Sequence, residues 1–222
     1  MTDALRLAGI LLALLLLNGC SSKPSVPDFT ASGYLADRGT VRIWRKNSEA
    51  HHVHIQTVYT PFDGDRAPTE LSEYHWQGHT LTAITRETRG AHPETVTLRF
   101  DTAGELNYMQ RQRDGQRQAV SDEAVALYQF DAQRMLALSD DLLAGRVFMT
   151  QGRWQGKGTV INCQGQPQQP AFDRASRQLI QQVQARSVTP VSVAWLEAPQ
   201  GTQLILAEAG DVCASEPTAA DF

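Results

Sequence analysis

From Phe29 to Ala119 apolar and polar residues alternate in short runs. Val41, Ile43 and Arg45 alternate with Arg42, Trp44 and Lys46, and Val53 and Ile55 with His52, His54 and Gln56. Tyr74 and Trp76 flank His75, Leu81 and Ala83 interleave with Thr80 and Thr82, and Val96, Leu98 and Phe100 alternate with polar neighbours. A period of two places one side of each run against a core, so these runs predict half-buried strands. Asp63-Gly64, Gln77-Gly78, Ala103-Gly104 and Asp114-Gly115 punctuate them as turns. The regular spacing predicts an antiparallel meander.

After Ala119 the period changes. Ser121 has the chemistry of an N-cap, and Asp122 and Glu123 suit the positive end of a helix dipole. Val120 and Val125 hold the positions of a hydrophobic staple. Val125, Tyr128, Ala132, Met135 and Leu142 recur at helical spacing and form one apolar face, with Gly145 as the stop. Ser139-Asp140-Asp141 is a point where this helix could divide. Strands resume at Val147-Phe148-Met149 and Thr159-Val160-Ile161, and a shorter helix follows Asp173 with Leu179, Ile180 and Val183. A hairpin closes the chain, with Val191, Val193 and Trp195 leading into a turn at Ala198-Pro199-Gln200-Gly201 and Leu204-Ile205-Leu206 returning. The predicted class is α+β: an antiparallel meander packed on one long helix, then a smaller strand–helix–hairpin unit.

The amino terminus adds an address. Leu7 to Leu17 is uninterrupted and apolar, too short to span a bilayer as a helix, which takes ~20 residues, but suited to a signal-peptide core. It ends in Leu17-Asn18-Gly19-Cys20, which resembles the lipobox of bacterial lipoproteins, with Cys20 as the lipidated residue. Asn18 is unusual for that motif, and Arg6 is the only basic side chain before the apolar run. Ser21 to Pro27 is a Ser/Pro tether. Ser21 after the cysteine resembles the outer-membrane sorting pattern. The chain is therefore expected to divide into a signal peptide (1–19), a lipidated Cys20 with tether (20–27), one globular domain (28–213) and a disordered tail (214–222). Palmitate or a related acyl chain on Cys20 would hold it to the periplasmic face of the outer membrane.

The chain has 3 cysteines; with Cys20 taken by lipid, Cys163 and Cys213 remain. An even remainder in an oxidising compartment predicts a Cys163–Cys213 disulfide, with two buried free thiols as the alternative. The formal net charge is -4, and no stripe of Lys or Arg offsets it, so nucleic acid is not an expected partner. Asp28-Phe29-Thr30-Ala31-Ser32-Gly33-Tyr34, then Val41 to Lys46, Gly152-Arg153-Trp154 and Cys163, together resemble the YjaH-like family of small gammaproteobacterial envelope lipoproteins. That resemblance implies no activity and no catalytic residue.

The 6 histidines all fall between His51 and His92. His75 and His79 have helical metal-pair spacing, but a turn at Gln77-Gly78 sets Trp76 opposite His79 and turns His75 away. If the strand through Val53 pairs antiparallel with the one through Tyr74, one register faces Val53 with Trp76 and Ile55 with Tyr74. The same register brings His54 opposite His75 on the other face, with His52 two residues along. Opposed Cβ atoms lie about 4.5–5.5 Å apart, near enough to share Zn or Cu. A polar outer face that happens to use histidine is the plainer alternative. No Gly-x-Ser-x-Gly, Ser-x-x-Lys or phosphate-cradling glycine loop is present. Glu70 and Glu73 read as strand-edge charges, Asp140-Asp141 as a solvated helix surface, and Arg111, Arg113 and Arg117 as a solvated strand face or a contact for lipid phosphates. The expected function is a non-catalytic envelope accessory or binding module whose partner is an envelope protein or lipid. One alternative is a hydrophobic-ligand carrier with a deep cavity near Tyr74, Trp76, Leu98 and Met135. The other is metal binding at the histidines.

Overall fold

The computed structural model describes residues 27–48, 51–62 and 69–222. The leader, Cys20, most of the tether and the turn at Asp63-Gly64 lie outside the described residues. The meander has eight strands in sequence order: β1 (Phe29–Ala36), β2 (Gly39–Asn47), β3 (His52–Pro61), β4 (Thr69–Gln77), β5 (Thr80–Arg89), β6 (Glu94–Phe100), β7 (Leu106–Arg113) and β8 (Gln116–Gln118). Every neighbouring pair is antiparallel. Asp114-Gly115 turns with both residues at positive φ, the hairpin geometry that dipeptide favours.

Helix α1 (Asp122–Ala144) begins where the sequence places it, with the Ser121 side chain accepting from Ala124 N–H. Val120, just before it, and Val125, in its first turn, are both buried. It runs without a break through Ser139-Asp140-Asp141, because Arg45 on β2 donates to Ser139 Oγ at 3.0 Å and to Asp140 Oδ1 at 2.5 Å. Those polar residues bind the sheet instead of interrupting the helix. The stop also differs in detail. Gly145 keeps right-handed backbone angles, and Arg146 takes the left-handed position at φ 56°. Arg146 N–H bonds Leu143 O and Val147 N–H bonds Leu142 O, the paired bonds of a Schellman end.

The second sheet runs β11 (Pro167–Gln168), β10 (Thr159–Asn162), β9 (Phe148–Gly156), β12 (Val191–Ala198), β13 (Gly201–Ala209). Helix α2 (Arg174–Arg186), capped by Asp173, covers one face of it. Ile180 packs there with Trp154, Phe172, Val193 and Trp195. The other face lies on the meander. Trp44, Phe29, Ala31 and Val58 from β1–β3 pack against Met149, Ala194, Leu196, Ile205 and Leu206. Two polar contacts fix this seam: Thr40 Oγ1 donates to Ile205 O at 2.5 Å, and Arg42 donates to Gln151 Oε1 at 2.9 Å. The order is therefore α1, meander, second sheet, α2, and β1–β3 are covered on both faces.

Cys163, just after β10, and Cys213, just after β13, form a disulfide with Cα atoms 5.1 Å apart. It pins the closing hairpin to β10 as the sequence predicts. The last residues depart from the expected disordered tail. Val212–Ser215 and Ala219–Asp221 are 3₁₀ turns, the second closed by a reciprocal cap between Thr218 and Asp221. Phe222 stands 5.4 Å from the Phe29 ring. An aromatic group on a partly covered sheet face gives this segment a reason to order.

Candidate functional site

The β3–β4 register is the one read from the sequence: Val53 faces Trp76, His54 faces His75 and Ile55 faces Tyr74. Val53, Ile55, Tyr74 and Trp76 join the core under α1. The β4–β5 turn is shifted by one residue. Gln77 pairs with Thr80 across a Gly78-His79 loop, which sets Trp76 opposite Leu81 instead of His79, and a bulge follows between Trp76 and His75. Gly78 supplies the positive φ that this loop requires. His75 is opposite Ala83, so His79 has no part in the site.

His54 and His75 stack with ring centroids 3.8 Å apart and planes 29° from parallel. Glu73 completes the group; one donor atom from each of the three residues lies within 4.8 Å of the others. His52 is exposed and is not one of that trio. Strand alternation carried the signal for Glu73, since it lies two residues before His75 and shares its face. Reading it as a strand-edge charge passed over that.

The imidazole face is not an open outer surface either. Phe222 sits 4.4 Å from His54, and Lys46, paired across from His54, donates to Ala219 O at 2.6 Å. His54, Glu73 and His75 are each partly buried, and His54 Nε2 is buried without a hydrogen-bond partner among the described residues. Burial first, then the nearby His75 and Lys46, lowers His54 to about 4. Burial lowers His75 as well. Burial, helped by Glu87, raises the Glu73 carboxyl. Both imidazoles are thus held neutral at ordinary pH, with lone pairs free.

A second concavity, of about 720 Å³, opens between α1 and the β1–β5 end of the meander. Tyr34, Val41, Tyr74, Met135, Leu127 and Phe130 supply its apolar walls. Leu127 and Phe130 are each 65% exposed on the rim. Most of its ionisable groups are engaged with one another; Asp37 on the rim has no partner among the described residues. The Tyr74 hydroxyl donates to Asp131 Oδ2 at 2.9 Å, Arg134 bonds Asp131 Oδ1 at 2.6 Å, and Arg86 pairs with Glu70. Burial and the adjacent Asp131 carboxylate hold the Tyr74 phenol well above its usual range. Trp76 and Leu98 do not reach this cleft; they are 2% and 0% exposed within the filled core. The arginines expected on a solvated strand are partly engaged too, with Arg111 bonding Glu94 Oε2 at 2.8 Å.

The family described as "Protein of unknown function (DUF1481)" matches residues 31–218. The chain belongs to that family. This DUF1481 chain is also 42% identical over 215 residues to "Uncharacterized protein YjaH" of Escherichia coli (strain K12), covering 96% of this chain and 91% of the relative. The resemblance to YjaH-like proteins read from the sequence thus holds. No solved structure matches it. Among the described residues no helix is long and apolar enough to cross a membrane.

Proposed function

We propose that this DUF1481 protein is a lipid-anchored accessory protein of the outer membrane. It faces the periplasm and works by non-covalent binding. The observation that carries this is Leu17-Asn18-Gly19-Cys20 directly after an unbroken apolar run and before a Ser/Pro tether. A peptidase cutting at Gly19-Cys20 needs small residues at the bond, and the Cys20 thiol is the nucleophile that takes the diacylglyceryl group. The Cys163–Cys213 bond supports the compartment, since disulfides persist where the surroundings oxidise. The cleft supports a binding role: Asp131, Arg134, Arg86 and Glu70 are spent on one another or on Tyr74, while Leu127 and Phe130 remain open to an envelope partner. A carrier role finds less support, because Trp76 and Leu98 fill the space a deep acyl cavity would need.

Labelled palmitate and membrane fractionation test the anchor. The native chain is expected to carry label and sediment with outer-membrane density. A Cys20→Ser variant is expected to lose both. Label retained on Cys20→Ser would refute the anchor.

A further inference from the structure

We propose that His54, His75 and Glu73 form a binding site for a divalent transition-metal ion of the Zn or Cu type. Cross-strand pairing fixes His54 against His75, and the pleat adds Glu73 to the same face. Their donor atoms lie within 4.8 Å of one another. Two nitrogens and one carboxylate oxygen on an ion at about 2.0–2.2 Å need donors separated by roughly 3–4 Å. The rings stack 29° from parallel, so both imidazoles must turn about their side-chain bonds to aim a lone pair at one shared ion.

The second observation is the orphaned His54 Nε2. A buried nitrogen with no partner is costly unless something takes its lone pair. A metal ion does so without adding a proton. The ligand types select the ion. Imidazole with a single carboxylate suits Zn, Cu or Ni, whereas Mg and Ca prefer oxygen-only shells. Three protein ligands leave a position for water on the side of a concavity of about 590 Å³ that Phe222 and Lys46 help to line. Lys46 opposes the ion by charge and sets a ceiling on affinity, although backbone carbonyls at Ala219 and Phe222 hold its ammonium. Glu73 is the counter-charge that offsets it.

The test is calorimetric titration of the full chain, purified in mild detergent and stripped of metal, with Zn and separately with Cu. One ion per chain is expected, with Cu tighter than Zn. His54→Ala and His75→Ala should each weaken binding about a hundredfold and Glu73→Gln about tenfold or more, the scale of losing a ligand or its support. His52→Ala should leave it unchanged, and Lys46→Met should strengthen it severalfold. If a variant fails to fold, electron paramagnetic resonance of the Cu-loaded wild-type chain reports directly, and coupling to two imidazole nitrogens is expected. Weak binding with no fixed stoichiometry overturns the site. So does tight binding indifferent to His54→Ala and His75→Ala, a Cu spectrum without imidazole coupling, or dependence on His52 in place of Glu73.

Discussion

Removing the Cys163–Cys213 bond should unfold the second sheet at far lower denaturant, although the contacts around Cys213 remain. The two cysteines are 50 residues apart, and the loop they close contains β11, α2, β12 and β13. On the chain-entropy model a loop of that length constrains the unfolded state by about 4 kcal/mol. The folded end survives without the bond. Cys213 N–H bonds Asp211 Oδ1 at 3.0 Å, Val212 N–H bonds Ser192 Oγ at 3.2 Å, and Val212 is 4% exposed. The loss therefore acts through the unfolded chain. Urea titration followed by tryptophan fluorescence reads it well, since Trp154 and Trp195 sit within the affected layer. The Cys163→Ser/Cys213→Ser double variant avoids leaving a lone thiol. It should lose about 4 kcal/mol, and roughly 8–16 °C in melting temperature for a chain of this size. A loss under about 1 kcal/mol, or free thiols at these positions in protein isolated without reductant, would refute the reasoning.

Two further outcomes follow from the backbone and from charge. Arg146→Gly should stabilise the chain by about 0.5–1 kcal/mol in the same urea assay, because relief of a left-handed penalty of about 1–2 kcal/mol outweighs glycine's entropy cost of roughly 0.5–1. Burial raises the Glu208 carboxyl above its ordinary value, with Arg42 opposing, so the folded state holds this proton longer than the unfolded chain. Its contribution is full below the ordinary Glu value and is lost as pH rises through the elevated one. Denaturation midpoints of Glu208→Gln and wild type should therefore diverge across that window, with the wild type falling relative to the variant as pH rises; parallel curves would count against it.

The meander was legible because β2 to β6 each bury one side against the core beneath α1. Val41, Ile43, Ile55, Tyr74 and Trp76 announce that face residue by residue, and the His54–His75 register follows once Ile55 and Tyr74 are opposed. Ser121 and Asp173 were legible as caps because a side-chain oxygen before an apolar periodic run has one favoured use. Burial on the opposite face was not. Arg42, Trp44 and Lys46 look like a solvated alternation. Yet Arg42 is 6% exposed and Trp44 1%, since β12 and β13 return from over 150 residues away to lie on them. No local period carries that information. The bulge after His75 was hidden for a related reason: it is a property of the β4–β5 pairing, not of either strand.

The hidden layer also gives the histidine group its environment. Apolar cover from the second sheet reaches β1–β3, and His54 and His75 stand on β3 and β4, where that cover ends. Fully beneath it, two imidazoles and a carboxylate would meet a desolvation cost with no water to relieve it. Fully outside, the rings would hydrate, Nε2 would have a partner, and no ligand would be favoured over solvent. At the margin Phe222 covers part of His54, while the concavity that Phe222 helps to line keeps His54 and His75 reachable. Neutral nitrogen donors, an orphaned lone pair and an access path then follow from a single fact of topology: where one sheet stops covering the other.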